Sequence, residues 1–292
     1  MSDIVKKANY KLNEQQIQHF ETFGFLVRRQ VFRPEEIDKL NEEFGPRLAT
    51  VKHELDQKTQ WVPKWPSIPI RNPQTPLMTG LLEDPRIYMP LEQLHGENPI
   101  PVYSNANSLT KNTAWHPDAM HRHLLVTNNL IYLQPITGNH GSLRVIPGSH
   151  KSPLFDELTR IRLMKPNNDE PDFLEESGMR GEDIPSFLLY QKPGDVITWN
   201  QRLWHAAFGG DEGRRNISIS FFSNPKTSQE ENDLHALIKK TKINTNKPKY
   251  RLMNYLRPYY HPWWLANLEN SALRVYWMKM LEEWGFIEAM NN

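Results

Sequence analysis

Between Ile100 and Phe222 short β-prone runs alternate with turn residues, and this pattern limits the folds open to the chain. The runs read IPVYSNANSLT, LLVTNNLIYL, GSLRVIPGS, DVITWN and RRNISISFF. Turn formers such as Thr137-Gly138-Asn139 and Pro193-Gly194-Asp195 separate them. Several short strands spaced by turns bury one sheet against another, which predicts a sandwich or barrel. Arg160 to Phe187, polar with acidic patches, interrupts the series and reads as a surface excursion.

On either side the periodicity becomes helical. Leu12 to Phe23 predicts a helix capped by Asn13, with Gln16 placed for a capping box and Leu12 stapled to Ile17. GFLVRR, Gly24 to Arg29, reads as a short strand. RPEEIDKL opens a second helix with Pro34 first, Glu35 and Glu36 at the positive end of its dipole, and Ile37, Leu40 and Phe44 on one face. Gly45-Pro46 is expected to end or kink it. From Trp61 to Pro101 nine prolines break up regular structure, apart from a short helix near Pro85 to Leu94. The stretch reads as a long ordered loop or lid, with Trp61 and Trp65 either covering a pocket or packing in the core.

Helices return from Ser228. The last, Ser271 to Trp284, puts Leu273, Trp277, Met280, Leu281 and Trp284 on one face and stops at Gly285. Helices, then strands, then helices suit a β core with helices on one sheet. We expect a single domain over residues 1–292: N-terminal helices at 12–60, a β core at about 100–224, and a helical extension at 228–292 that offers a face for homo-oligomers. The aromatic run YYHPWW, Tyr259 to Trp264, reads as a packing or subunit contact rather than a ligand box.

A formal net charge of +1, with both signs mixed along 292 residues, gives no electrostatic reason to expect nucleic acid or an acidic membrane as partner. The absence of cysteine excludes disulfides, thiolate metal sites and thiol nucleophiles. The start lacks a secretory apolar segment and no long apolar run occurs, so a cytoplasmic protein is expected.

One constellation bears on chemistry. In NTAWHPDAMHRHLL, His116 and Asp118 lie two residues apart at a strand end and point the same way in extended chain. His205 follows a later strand. Two histidines and one carboxylate on one face of a metal are the triad of non-heme Fe(II) oxygenases, which leaves positions open for co-substrate and oxygen. Arg214 and Arg215 come nine and ten residues after His205, and either guanidinium can grip a dicarboxylate co-substrate. Such a charged hydrogen bond contributes about 1.5–3 kcal/mol. Alternation favours Arg214, which shares a face with Asn216, Ser218 and Ser220; Arg215 shares the apolar face of Ile217, Ile219 and Phe221.

At this point the chain resembles the phytanoyl-CoA dioxygenase family of Fe(II)/2-oxoglutarate-dependent oxygenases, over about Leu12 to Asn224. FGFLVRRQVFRPEEIDKLNEEF is similar to its N-terminal segment, TAWHPD to its metal motif, GNHGSLRVIPGSHK to its glycine-rich turn, and KPGDVITWNQRLWH to the strand bearing the distal histidine. The resemblance implies a double-stranded β-helix, a cupin-like jelly roll. It implies His116, Asp118 and His205 as iron ligands, and Arg214 or Arg215 as the 2-oxoglutarate anchor. It implies O2 as oxidant and a small-molecule substrate that is hydroxylated with release of succinate and CO2. Ala206 and Ala207 stand where a small hydroxyl residue often follows the distal histidine. Asp118 is present where halogenating relatives carry Gly or Ala. The competing expectation is a jelly roll that holds a metal without 2-oxoglutarate turnover, as a binding module or a cupin-type isomerase.

Other residues have blander readings. His121 and His123 are expected to be exposed polar histidines, His150 structural and His140 at the surface. Asn105 and Asn107 either touch the co-substrate or are polar residues of the ladder. Trp115 is expected to pack beside the site.

Overall fold

The predicted strand series closes into two facing antiparallel sheets. The computed structural model describes residues 10–58, 67–110, 112–136, 140–165, 172–210, 213–246, 260–266 and 271–287. The larger sheet has the order β1 (Phe25–Arg28), β8 (Val196–Asn200), β5 (Val126–Tyr132), β10 (Arg214–Phe222), β3 (Ile100–Leu109), β2 (Ser67–Pro69). The smaller has β4 (Thr113–His116), β9 (His205–Ala207), β6 (Leu143–Val145), β7 (Phe187–Leu188). Consecutive strands cross between the sheets, which makes the core a double-stranded β-helix, or jelly roll.

Strand alternation divides the larger sheet into two faces. Ile217 lies opposite Ala106 and Ile131, and with Ile219, Phe221 and Val196 it packs under a helical layer. That layer draws Ile37, Leu40 and Phe44 from α2 (Pro34–Lys58), Met78 from α3 (Pro76–Gly80), and Ile87 and Leu91 from α4 (Pro85–His95). On the other face Leu130, Tyr132, Ile197 and Trp199 meet Leu143 and Val145 of the smaller sheet. Asn216, opposite Asn107 and Tyr132, belongs to this inner side.

The N-terminal helix α1 (Glu14–Phe23) carries the expected capping box: Gln16 N–H donates to Asn13 Oδ1 at 2.9 Å, and Asn13 N–H to Gln16 Oε1 at 3.0 Å. Two expectations need correction. Of the two outcomes expected at Gly45-Pro46, an end and a kink, the end is overturned: the second helix runs on as far as Lys58. Proline inside a helix costs about 3 kcal/mol, and burial of Ile37, Leu40 and Phe44, all at most 4% exposed, offsets it. The excursion after Arg160 is more than surface. With α5 (Leu154–Arg160), α6 (Phe173–Ser177) and the 3₁₀ turn Gly181–Asp183, it brings Phe155, Leu163 and Ile184 over Trp115, Trp204 and Phe208 on the outside of the smaller sheet. Those large rings need a cover, and this segment supplies it.

After β10 come α7 (Ser228–Asn246), α8 (Pro262–Ala266) and α9 (Ala272–Glu283). Trp277 and Leu281 of α9 are fully buried in the helical layer, and the Trp277 indole N–H donates to the Pro99 carbonyl at 2.9 Å. The apolar face of α9 packs in the chain's own core. Within the aromatic run, Tyr260 and Trp264 pack on the buried Arg71 guanidinium, 4.3 and 5.4 Å from their ring centroids, so packing describes them. Trp61, Trp65 and Tyr259 lie outside the described residues. Among the described residues no helix is long and apolar enough to cross a membrane.

His95, at the end of α4, is buried between two hydroxyls, Ser223 Oγ at 2.9 Å and Thr127 Oγ1 at 2.8 Å. Burial lowers its pKa from 6.5 to about 3. Between those values the unfolded chain binds the extra proton, so stability is highest above pH 6.5 and falls as the pH drops below it. From pH 7 to 5 the urea-unfolding free energy should fall about 2 kcal/mol further in the native protein than in His95→Gln. An identical pH dependence in the two proteins would contradict the assignment.

Candidate metal centre

His116 ends β4 and His205 begins β9, and the pairing of these strands sets the two residues directly across from each other. Val145 of β6 is next in line. Alternation turns both imidazoles to the side of Leu143 and Val145, while Trp115 and Ala206 turn to the outer cluster. Pro117 ends the strand, and the chain folds back so that the N–H groups of Asp118 and Ala119 donate to the Gln201 carbonyl at 2.8 and 3.1 Å. This returns the Asp118 carboxylate to the imidazoles. His116 Nε2 is 3.6 Å from Asp118 Oδ1, and His205 Nε2 is 3.7 Å from Oδ2. The ring centroids are 4.3 Å apart. One donor atom from each residue lies within 4.8 Å of the other two.

Each donor is oriented from behind. His116 Nδ1–H donates to the Ala114 carbonyl at 2.8 Å and His205 Nδ1–H to the Leu203 carbonyl at 2.9 Å, which leaves both Nε2 lone pairs facing the carboxylate. Asp118 Oδ2 accepts from Asn128 Nδ2 at 2.6 Å. Asn128 Oδ1 in turn accepts from Gln201 Nε2 at 3.0 Å and from the Ser220 hydroxyl. Sequence reasoning missed Asn128 and Gln201, and placed Ser220 on the Arg214 face without naming its partner. Only the pairing of β5 with β8 and β10 brings them together.

The electrostatics hold the carboxylate ionised between the two imidazoles. Burial pushes the Asp118 carboxyl up, but the His205 and His116 imidazoles outweigh this and hold it at about 2. The Trp199 indole adds to the effect, although its N–H completes no hydrogen bond of normal geometry. Burial lowers His205 to about 4 against the pull of Asp118, so its lone pair stays available. At His116 burial also acts downward, and contact with Asp118 prevails and raises it. His116 and Asp118 keep 29% and 27% of their side chains exposed against 6% for His205, so the triad opens on the His116–Asp118 side.

Arg214 begins β10 on the inner face, 1% exposed, with Nη1 donating to the Gly141 carbonyl at 2.7 Å. A Cβ on Gly141 or Gly210 would fall 2.4 or 2.8 Å from its side chain, so both glycines make room for it. Arg215 faces the other way and donates through Nε to Gln134 Oε1 at 2.9 Å. Asn107 Nδ2 donates to Asn216 Oδ1 at 3.2 Å. One buried inner-face donor, Asn216 Nδ2, has no acceptor among the described residues and suits an acceptor-rich ligand.

The remaining histidines divide. His123 and His140 are exposed. His150 is buried and structural, its Nε2–H donating to the Glu21 carbonyl at 3.2 Å. His121 departs from the exposed expectation: it is half-buried, and burial lowers it to about 4. Trp115 packs behind the site, its indole N–H on the Gly181 carbonyl at 2.9 Å.

The sequence model of the phytanoyl-CoA dioxygenase family matches residues 20–216. Curated protein sequences yield no significant match. Three solved structures illustrate the likeness in fold. HygX from Streptomyces hygroscopicus, crystallised with nickel and 2-oxoglutarate bound, is 20% identical with a TM-score of 0.53, over 75% of this chain and 90% of that one. The non-heme alpha ketoglutarate dependent carbocyclase SnoK from nogalamycin biosynthesis is 16% identical with a TM-score of 0.52, over 73% and 84%. The epimerase SnoN, in complex with Fe3+, alpha ketoglutarate and nogalamycin RO, is 19% identical with a TM-score of 0.52, over 74% and 84%. The family match takes in the opposed His116 and His205, the intervening carboxylate and the start of β10, and the chain belongs to the phytanoyl-CoA dioxygenase family.

Proposed function

We propose that this chain is an Fe(II)- and 2-oxoglutarate-dependent dioxygenase that hydroxylates a C–H bond of a small-molecule metabolite or natural product, releasing succinate and CO2. The observation that carries the reading is the convergence of His116, Asp118 and His205, with both imidazoles turned to present Nε2. Two imidazoles and a carboxylate on one face suit Fe(II) and leave its other positions to co-substrate and oxygen. Bound iron, with O2 and 2-oxoglutarate, supplies the oxidising power for C–H cleavage.

The chain supplies position. The Ala114 and Leu203 carbonyls hold the imidazoles, and Asn128 holds the carboxylate. Arg214 is assigned the distal carboxylate of 2-oxoglutarate, because it is the arginine of the pair on the inner face and its planar fork matches a carboxylate. Asn216 offers an N–H group to the acceptors of the same ligand, and Asn107 orients Asn216. Leu130, Leu143 and Val145 keep the adjoining space between the sheets apolar. A carbocyclase and an epimerase share this fold, so the pocket's grip on the substrate decides the product of C–H cleavage. A helical layer that joins Phe32 to Leu281 in one apolar cluster supports a single domain.

Anaerobic Fe(II) and 2-oxoglutarate should give a visible charge-transfer band, and His116→Ala or Asp118→Ala should remove both the band and substrate-coupled succinate formation. Full turnover in either variant would end the assignment. Metal binding without the band would favour the metal-holding module or cupin-type reading.

Arg214 gives a second test. Gly141→Ala, at φ +87° and with its Cβ against the Arg214 side chain, should raise KM for 2-oxoglutarate about tenfold or more, with a smaller change in kcat. Arg215→Gln should leave that KM within a factor of two or so. The reverse ranking would move the anchor to Arg215.

A further inference from the structure

Helix α7 lies beyond the residues matched by the family, yet it is fastened to the loop that carries Asp118. Asp233 Oδ2 accepts from the main-chain N–H groups of His123 at 2.6 Å and Leu124 at 3.0 Å. Two turns further on the same face, Lys240 Nζ donates to the Asp118 main-chain carbonyl at 3.3 Å. Leu234, Leu237 and Ile238 bury the adjoining side of the helix in the core. The Lys240 ammonium is thereby held at the rim where the triad opens.

Other charges at this rim are engaged. Asp118 accepts from Asn128, Asp233 from two amides, and Asp156 from Arg122 and Ser152. Arg202 donates to the carbonyls of Met120, His121 and His150. His121 is half-buried beside them, and its imidazole stays neutral. Lys240 forms no ion pair among the described residues, and its charge reaches both His116 and His121. An ammonium has three N–H donors, of which one carbonyl takes a single share. The others remain for a ligand that enters past His116 and Asp118.

We propose that Lys240 is a specificity-determining residue that pairs with an anionic group, a carboxylate or a phosphate, on the molecule to be oxidised. The proposal rests on the dioxygenase reading and narrows its substrate class to acids whose oxidised carbon lies near the charged group. Binding energy spent at the anion holds the remaining carbon skeleton over the metal.

The test uses the full chain under anaerobic conditions with Fe(II) and saturating 2-oxoglutarate, titrated with 4-fluorobenzoate, 4-fluorophenyl phosphate and 4-fluorobenzamide. Fluorine NMR reads affinity, and broadening by the iron reads proximity. At least one anion should bind and broaden, about tenfold or more tighter than the amide, and the tighter of the two names the group. Lys240→Ala should remove that preference and Lys240→Arg restore it, with 2-oxoglutarate affinity unchanged in both. Equal binding of the amide, failure of both anions to bind, or undiminished anion binding in Lys240→Ala would overturn the proposal. Anion binding that falls in Arg214→Gln but not in Lys240→Ala would place the anion in the co-substrate site and also overturn it. Should iron fail to bind, the dioxygenase reading falls by itself, and the same variants decide the Lys240 preference from shift changes on the metal-free protein.

Discussion

The antiparallel register of β4 against β9 is the constraint on which the rest depends. It sets His116 across from His205, and alternation sends both rings between the sheets. A slip of one residue would put an imidazole into the outer cluster and turn Trp115 inward. The register holds because the outer face buries Trp115, Trp204 and Phe208 under Phe155, Leu163 and Ile184. An apolar cluster on the outer face of the smaller sheet thus fixes the spacing of His116 and His205.

The larger sheet separates two tasks by the same alternation. Its outer face is apolar and carries the helices that stabilise the fold. Its inner face carries Arg214, Asn216, Asn128 and Ser220, groups costly to bury unless they are hydrogen-bonded. Several meet that condition through one another: Asn128 links Asp118 to Gln201 and Ser220, and Asn107 links to Asn216. In the low-dielectric space between the sheets such a network orients its members more firmly than it would in water. Gly141 and Gly210 complete the arrangement by leaving space in which the Arg214 side chain lies.

The C-terminal helices extend this core in two ways. Helix α9 closes the helical layer with Trp277 and Leu281. Helix α7 reaches past the sheets to the rim of the site through Asp233 and Lys240. A common jelly roll holds the donors, and added elements shape what approaches them.

Much of this was legible in the residues. The strand series, the capped first helix and the final amphipathic helix all follow from local periodicity and cap chemistry, which neighbouring residues express without help. His-x-Asp at a strand end and the alternation that turns Arg214 inward are equally local. Less legible was whatever depends on contacts between distant segments. Pro46 stays inside its helix because of packing, the segment after Arg160 covers tryptophans on another sheet, and Asn128, Gln201 and Ser220 meet at Asp118 only through strand pairing. Local pattern alone dictates which residue types can act as donors and which face of each strand they occupy, because side-chain direction repeats every second residue. That two histidines 89 positions apart face one carboxylate, and that a lysine from the last third of the chain reaches the Asp118 carbonyl, follows from pairing between distant strands and from helix packing, which set distances that no local pattern encodes.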